Sequence, residues 1–537
     1  MALMPPRALR LPRPPRRLRT AFAAGLCAAV LLQPTAAATP RENGSGTPST
    51  AVRWQECRAI VGIPVDPAVA DCAVHHVPRD YARPAEGTVP LVMLRRRASD
   101  PARRTGTLFV NPGGPGTSGL HTAYRAERFL DPEVLARHDV IGFDPRGVNT
   151  SAALKCYLSQ EDYAAGAADR VPVPVADSEI ARTLRATAAY TDACARNAGP
   201  LLPHATTLNA ARDLDQLRRS TGDERLGYIG FSYGTLLGAT YANLYPDRVG
   251  SMVLDGNVDP VLRSSDGLEY DRRRAAGTEL ALAEYLRRCA AAPAVCPFAG
   301  SDTRQKFDRI RDRLRTGPLT LPDGTTTTLS RFTAKVADSL ATPSRHTELA
   351  GTLAELHQAV AAEPAAPAAQ ASEGARVIEA AEASVQAGTP YRRDDSETAY
   401  NCLDKPYPPT PALWPVLAAH WEGQSPTFGR MAAFESLPCA TWPARWWQAD
   451  RYAGPWSRPT PRPVLVIGNR YDPTTRYRFA ERMATVLGSA RLVSVDMIGH
   501  TALGLSRCAD AITTDYLLGR ADPPPGGAEC RPDTESF

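Results

Sequence analysis

The sequence predicts an α/β fold, with a mainly parallel sheet flanked by helices and a large helical segment inserted late in the chain. Three observations predict it. Up to residue 261, apolar runs of strand length alternate with helical stretches, the pattern of βαβ units and a parallel sheet. The rhythm breaks over residues 262–455, which are Ala- and Arg-rich and mostly helical in period. It returns at RPVLVIGNRYDP, so the sheet is split by the insertion. A chain of 537 residues is long enough for such a core and an added segment.

The elements follow in order. TGTLFVNPGGPG is a strand running into a Gly-Pro loop, and HDVIGFDPRG is a strand ending in a turn. LNAARDLDQLRRSTG is a helix with Leu208, Ala211, Leu214 and Leu217 near one face. RLGYIGFSYG is a strand that meets a sharp turn at once, and TLLGATYANLYP continues as a helix stopped by Pro246. VGSMVLDGNVDP is the sixth core strand and RPVLVIGNRYDP the seventh, with the insertion between them. RFAERMATVLG is a helix, and ARLVSVDMIGH a strand and loop. The expected organisation is a signal peptide over 1–38, a first core part over 39–261, a helical lid over 262–455 and a C-terminal core part over 456–537.

Export is expected from the N-terminus. A basic stretch ending PRRLRT precedes the apolar run AFAAGLCAAVLL, and Ala36 and Ala38 fit an A-x-A cleavage site. The apolar run is too short to span a bilayer, which disfavours a membrane anchor. Leu26 before Cys27 is not the small residue that lipidation requires. The formal charge of +5 is misleading, because residues 1–38 hold six arginines and no acid; without them the remainder carries −1. A near-neutral body argues against nucleic acid as a partner. Ten cysteines remain after Cys27, in neighbouring couples along the chain, as expected for local disulfides in an oxidising compartment. No C-x-x-C pair occurs and no His stands at ligand spacing from a Cys, so neither a metal nor another cofactor is expected.

The chemistry centres on Gly230-Phe231-Ser232-Tyr233-Gly234, placed directly between a strand and a helix. Glycines on both sides of a serine are what a tight strand-to-helix elbow requires. A nucleophilic serine needs a histidine base and a carboxylate to orient that base. Of nine histidines, only His500 follows a strand after the insertion, in SVDMIGHTALG. Asp472 ends the strand VLVIGNRYDP, one βαβ step earlier. Its rivals are Asp496, too close to His500 on the same strand, and Asp255, at the end of the strand after Ser232. An oxyanion site needs two backbone N–H groups. Tyr233 supplies one, and Gly113 or Gly114 of NPGGPG supplies the other, with Gly114 preferred.

Together NPGGPGTSG, DPRGVNTS, GFSYGTLLGATYA, VLDGNVDP, GNRYDPTT, GHTALG and the earlier VPRDYARP resemble the secreted tripeptidyl aminopeptidases. These are α/β-hydrolase serine peptidases related to the prolyl iminopeptidases, with Asn111 here where the iminopeptidase loop has histidine. The resemblance runs from about residue 55 to 515 and implies an α/β-hydrolase fold. It also implies a secreted exopeptidase that releases short peptides, tripeptides by family habit, from free N-termini of peptides or proteins. Carried over by position, Ser232, Asp472 and His500 are the triad. An aminopeptidase must also hold a protonated α-amine, which calls for carboxylates from the lid. Candidates are Glu269, Asp271, Glu397 and Asp404, with Asp404 and then Glu269 preferred. Two other readings stand beside this one. An esterase or lipase would use the same triad, although the lid shows no long apolar face. A non-catalytic binding protein on this scaffold would be expected to lack a triad member, and none is missing. No stable membrane association is expected once the signal is removed.

Overall fold

The computed structural model describes residues 51–62, 64–363, 391–443, 450–534 and 537. The expected signal segment and Cys27 lie outside these residues.

Nine strands form one sheet: β1 (Ala70–Pro78), β2 (Thr88–Arg96), β3 (Gly106–Asn111), β4 (His138–Phe143), β5 (Leu226–Phe231), β6 (Val249–Asp255), β7 (Val464–Tyr471), β8 (Ala490–Ile498) and β9 (Ala528–Cys530). Their order is β1-β2-β4-β3-β5-β6-β7-β8-β9. β1 pairs with β2, and β2 with β4, in antiparallel fashion; every other pair is parallel. The parallel strands are apolar on both faces because helices cover both. On one face Leu108, Val110, Val140, Ile229, Val253, Leu465 and Ile467 pack together. The residues between them, Phe109, Ile141, Tyr228, Leu254 and Val466, pack on the other. This two-residue period is the pleat made visible.

Four helices matter first for the site: α1 (Thr207–Ser220), α2 (Tyr233–Leu244), α3 (Pro260–Ser265) and α4 (Gly267–Ala291). Thr206 caps α1 by accepting from the Asn209 N–H, and Leu208, Ala211, Leu214 and Leu217 are all buried, as their spacing predicts. α2 is buried on nearly every side, so it runs inside the molecule rather than along its surface.

The described part of the segment between β6 and β7 is mostly helical, but it also holds a small hairpin, Leu319–Thr320 against Thr326–Thr327. Later in it come α5 (Ser396–Asp404), α6 (Gly429–Glu435) and α7 (Leu437–Ala440). It has apolar clusters of its own, one around Tyr285, Phe307, Phe332 and Leu353 and one around Trp414, Trp421 and Phe434. Five disulfides join cysteines in sequential couples: Cys57–Cys72, Cys156–Cys194, Cys289–Cys296, Cys402–Cys439 and Cys508–Cys530. The last pins the C-terminal tail through β9. Among the described residues no helix is long and apolar enough to cross a membrane.

Candidate active site

β5 delivers its chain directly into the elbow. Ser232 has φ 54° and ψ −123°, a backbone state that non-glycine residues rarely hold. Its neighbours make the state possible. A Cβ on Gly230 would lie 2.4 Å from Gly234 O, and one on Gly234 would lie 2.6 Å from Asn111 O. The Ser232 N–H donates to Asp255 O at 2.9 Å, which ties the elbow to the end of β6.

Tyr233 is the first residue of α2, so its N–H has no partner within the helix. The NPGGPG loop presses against it. A Cβ on Gly113 would meet Ser232 Cβ at 2.8 Å and Tyr233 N at 2.9 Å, so only glycine allows the approach. The Gly113 N–H is already spent on Asn111 Oδ1 at 3.0 Å. Gly114, the next residue, lines a cavity with Ser232 and Tyr233. Asp144 braces the same loop: Ser118 Oγ donates to Oδ1 at 2.6 Å, while the Thr150 hydroxyl donates to Oδ2 at 2.6 Å. The motifs NPGGPGTSG and DPRGVNTS thus meet through one carboxylate.

The loop after β8 carries His500. Its Nδ1 lies 2.9 Å from Asp472 Oδ2 and 3.1 Å from Oδ1. Asp472 is buried, and its Oδ1 also accepts from the Thr474 and Thr475 N–H groups at 2.8 and 2.7 Å. Thr475 Oγ1 donates to Asp472 Oδ2 at 3.0 Å and stands 3.3 Å from His500 Nδ1. With Nδ1 so occupied, Nε2 is the free edge of the ring; it is buried and has no partner among the described residues. Ser232 Oγ and Nε2 are not hydrogen-bonded in this state, and such contacts often close only when substrate arrives. Burial disfavours the imidazolium, but Asp472, with Asp255 behind it, outweighs that and holds the His500 pKa above its ordinary value.

The His500 loop is held from three sides. Asn469 Nδ2 donates to Gly499 O and Thr501 O, both at 2.8 Å, gripping the carbonyls on either side of the histidine. Asp255 Oδ2 accepts from the Ala502 and Leu503 N–H groups at 2.8 and 3.0 Å. The His500 N–H donates to Ala341 O, in the inserted segment, at 2.9 Å. Asp255, one of the rival acids in the sequence, is therefore occupied with the loop backbone. Burial pushes its carboxyl up to about 6, against the pull of those two amides.

Ser232, Tyr233, Gly114, Thr474 and Thr475 line one cavity of about 460 Å³. Of the carboxylates considered for an α-amine, Glu397 and Asp271 line it. Asp404 does not: it is buried beneath the wall, where both its oxygens accept from Thr207. Thr207 Oγ1 lies 2.5 Å from the Tyr233 hydroxyl, so Asp404 reaches the elbow through Thr207 and the Tyr233 ring. Glu269 is outside the cavity lining and is held by Arg272 and Arg273 at 2.7 Å each. Glu435, Arg263 and Arg274 line the cavity and were not singled out in the sequence. Neither were Asn469 and Thr475, although both lie inside a motif that was. Among the described residues no group of His, Cys, Asp and Glu gathers to hold a metal ion.

Comparison with known proteins follows the same lines. The family model for the alpha/beta hydrolase fold matches residues 106–505. The chain is 30% identical over 502 residues to Serine protease Hip1 of Mycobacterium tuberculosis, covering 89% of this chain and 91% of that one. It is 31% identical over 488 residues to Tripeptidyl aminopeptidase of Streptomyces lividans, covering 88% and 85%. It is 30% identical over 510 residues to Carboxylesterase B of Mycobacterium tuberculosis, covering 91% and 93%.

Proposed function

Since the chain belongs to the α/β-hydrolase fold family and is a serine hydrolase, we propose that it is a secreted exopeptidase that cuts near free N-termini and releases short peptides, tripeptides as the expected step. In the proposed reaction Ser232 Oγ attacks the scissile carbonyl carbon while His500 Nε2 takes its proton. The oxygen of that carbonyl becomes an oxyanion held by the Tyr233 and Gly114 N–H groups. Collapse breaks the C–N bond, and His500 returns the proton to the leaving amine. Water then repeats the sequence on the acyl-enzyme and restores Ser232. Asp472 orients His500 throughout and stabilises its charged form.

One observation carries the exopeptidase reading. Glu397 faces the cavity of Ser232, and its carboxylate makes no hydrogen bond or ion pair among the described residues. It is open to the cavity's solvent yet recessed, so burial, and then Glu435 nearby, raise its pKa. A substrate ammonium supplies the missing counter-charge and reverses that shift. Glu397 is thus the amine anchor of this proposal, with Glu435 behind it. Asp404 and Glu269 act elsewhere, being held by Thr207 and by two arginines. Residues 1–38 as an export signal belong to the same proposal, and the five disulfides support it.

A free-amine tripeptide anilide, its N-acetylated form and a short-chain nitrophenyl ester test this together. The free-amine anilide is expected to turn over and the acetylated one not. Ser232→Ala should lose about 10⁴-fold or more in kcat on every substrate. Glu397→Gln should raise KM for the free-amine anilide by about tenfold to a hundredfold, more than for the ester. The relative named carboxylesterase favours an esterase as the second reading. Ester turnover without any peptide turnover would establish that reading instead.

A further inference from the structure

The cavity at Ser232 is lined by three cations, Arg263, Arg274 and Lys405, and by three carboxylates, Asp271, Glu397 and Glu435. Most of these charges satisfy one another. Lys405 Nζ lies 3.0 and 3.2 Å from the two oxygens of Asp271, and the Tyr407 hydroxyl donates to the same carboxylate at 2.5 Å. Arg274 pairs with Glu435 and reaches Asp271 at 3.9 Å. Two groups are left over. One is Glu397, assigned above to the substrate ammonium. The other is Arg263.

Arg263 is 5% exposed. Its Nη2 donates to Asn401 Oδ1 at 2.7 Å, its Nε is buried with no hydrogen-bond partner, and it forms no ion pair among the described residues. The guanidinium carbon lies 5.8 Å from the centre of the Tyr233 ring and 5.4 Å from that of Tyr270. Asp404 and Asp271 act on it from further off, and both are already engaged, by Thr207 and by Lys405 with Tyr407. A buried cation without a contacting counter-ion is costly, and the neutral amide and rings around it offset only part of that cost. A guanidinium fork is also the side chain best shaped to take a carboxylate by two parallel hydrogen bonds. Glu397 meanwhile packs against the oxyanion loop: a Cβ on Gly116 would lie 3.5 Å from its Cβ. Arg263 instead neighbours the ring of Tyr233. Arg263, bonded to Asn401 one turn along α5 from Glu397, feels that carboxylate's charge but forms no ion pair with it, so the anion and the cation each keep a face for a ligand in one cavity.

We infer that Arg263 is a carboxylate-binding subsite of this cavity, so that preferred substrates carry a negative charge as well as a free ammonium. The inference rests on the reading of the cavity as a peptide site. The carboxylate has two possible sources, an acidic side chain near the scissile bond or the C-terminus of a short peptide. Both present the same group to Arg263.

The test uses the mature enzyme hydrolysing a nitrophenyl ester, with short peptides as competitors. The competitors are Ala-Ala-Ala amide, Ala-Ala-Ala with a free C-terminus, and tripeptide amides with Glu at each position in turn. A carboxylate-bearing competitor is expected to inhibit about 10–100-fold more tightly than the neutral amide, the effect of one charge-assisted contact. A free C-terminus that suffices points to that source, and a Glu amide that suffices points to the side chain. In Arg263→Gln the ratio between charged and neutral competitors should collapse towards one, whichever way absolute rates move. Arg263→Lys should restore part of it. Equal inhibition by all competitors in the wild type would overturn the proposal, as would a ratio that survives Arg263→Gln. A purely structural arginine would lower stability and leave the ratio alone, which also overturns it. Loss of the exopeptidase reading shows up separately, as a free-amine anilide that is never cleaved while the ester is.

Discussion

Ser232 holds a backbone state that costs about 1–3 kcal/mol and persists only because its surroundings fix it. The Asp255 carbonyl, the two bare glycines and the NPGGPG loop all bear on that one residue. His500 shows the same economy, because what holds its ring also tunes its charge. On the proposed mechanism His500 must be neutral to take the proton, so activity should fall as pH drops through the His500 pKa, and that limb should lie above the ordinary histidine range. Asp472→Asn removes the main influence raising that pKa. The acid limb of kcat/KM should move to lower pH, and kcat should drop by about 10⁴-fold. A limb that stays in place would mean that Asp472 does not face the working base. At this scale the sequence was readable for placement: Ser232, Asp472 and His500 do stand just after strands, and the last two meet, while their catalytic roles belong to the proposal. It was not readable for Asp255, because whether an end-of-strand carboxylate meets a ring or two amides depends on the path of the loop opposite.

Among the elements, α5 and α7 both contribute to the cavity wall, with Glu397 on the former. The Cys402–Cys439 bridge joins them, and Glu397, Thr398 and Asn401 of α5 face Ser436 and Cys439 across it. Replacing both cysteines with alanine should lower stability by about 3–4 kcal/mol, on a sequence separation of 37. It should also raise KM for free-amine peptides more than KM for a small ester, which needs less of that wall. Parallel steady-state assays of the two substrates would show it; equal changes would mean that the bridge serves stability alone. The strands and α1 and α2 were legible because apolar period and glycine placement are local properties. The lining of the insertion was not. Asp404 and Glu397 lie on the same short helix seven positions apart, yet one accepts from Thr207 and the other opens to the cavity. Nothing local separates them; the difference is made by a partner 197 residues away in sequence.

Across the whole molecule, that Asp404–Thr207 contact ties the inserted segment to the N-terminus of α1 in the core. Burial raises the Asp404 carboxyl to about 6. The folded state therefore holds this proton more tightly than the unfolded chain does. The resulting stability is fully present below the unfolded value near 4 and is lost as pH rises through about 6. The stability difference between wild type and Asp404→Asn should accordingly shrink by up to about 3 kcal/mol from pH 4 to pH 7. Urea midpoints at the two pH values would reveal it, and a constant difference would refute it. The split sheet has a further consequence, in time rather than in space. Ser232 is made early, whereas β7, β8 and the residues that activate the serine are made last, beyond the whole insertion. Four of the five disulfides close among residues 57–439, before β7 begins; only Cys508–Cys530 waits for the end of the chain. On the proposed mechanism a chain lacking those last strands can bury most of itself while remaining inert. Only when its final strands reach the edge left open at β6 would Asp472 and His500 join Ser232.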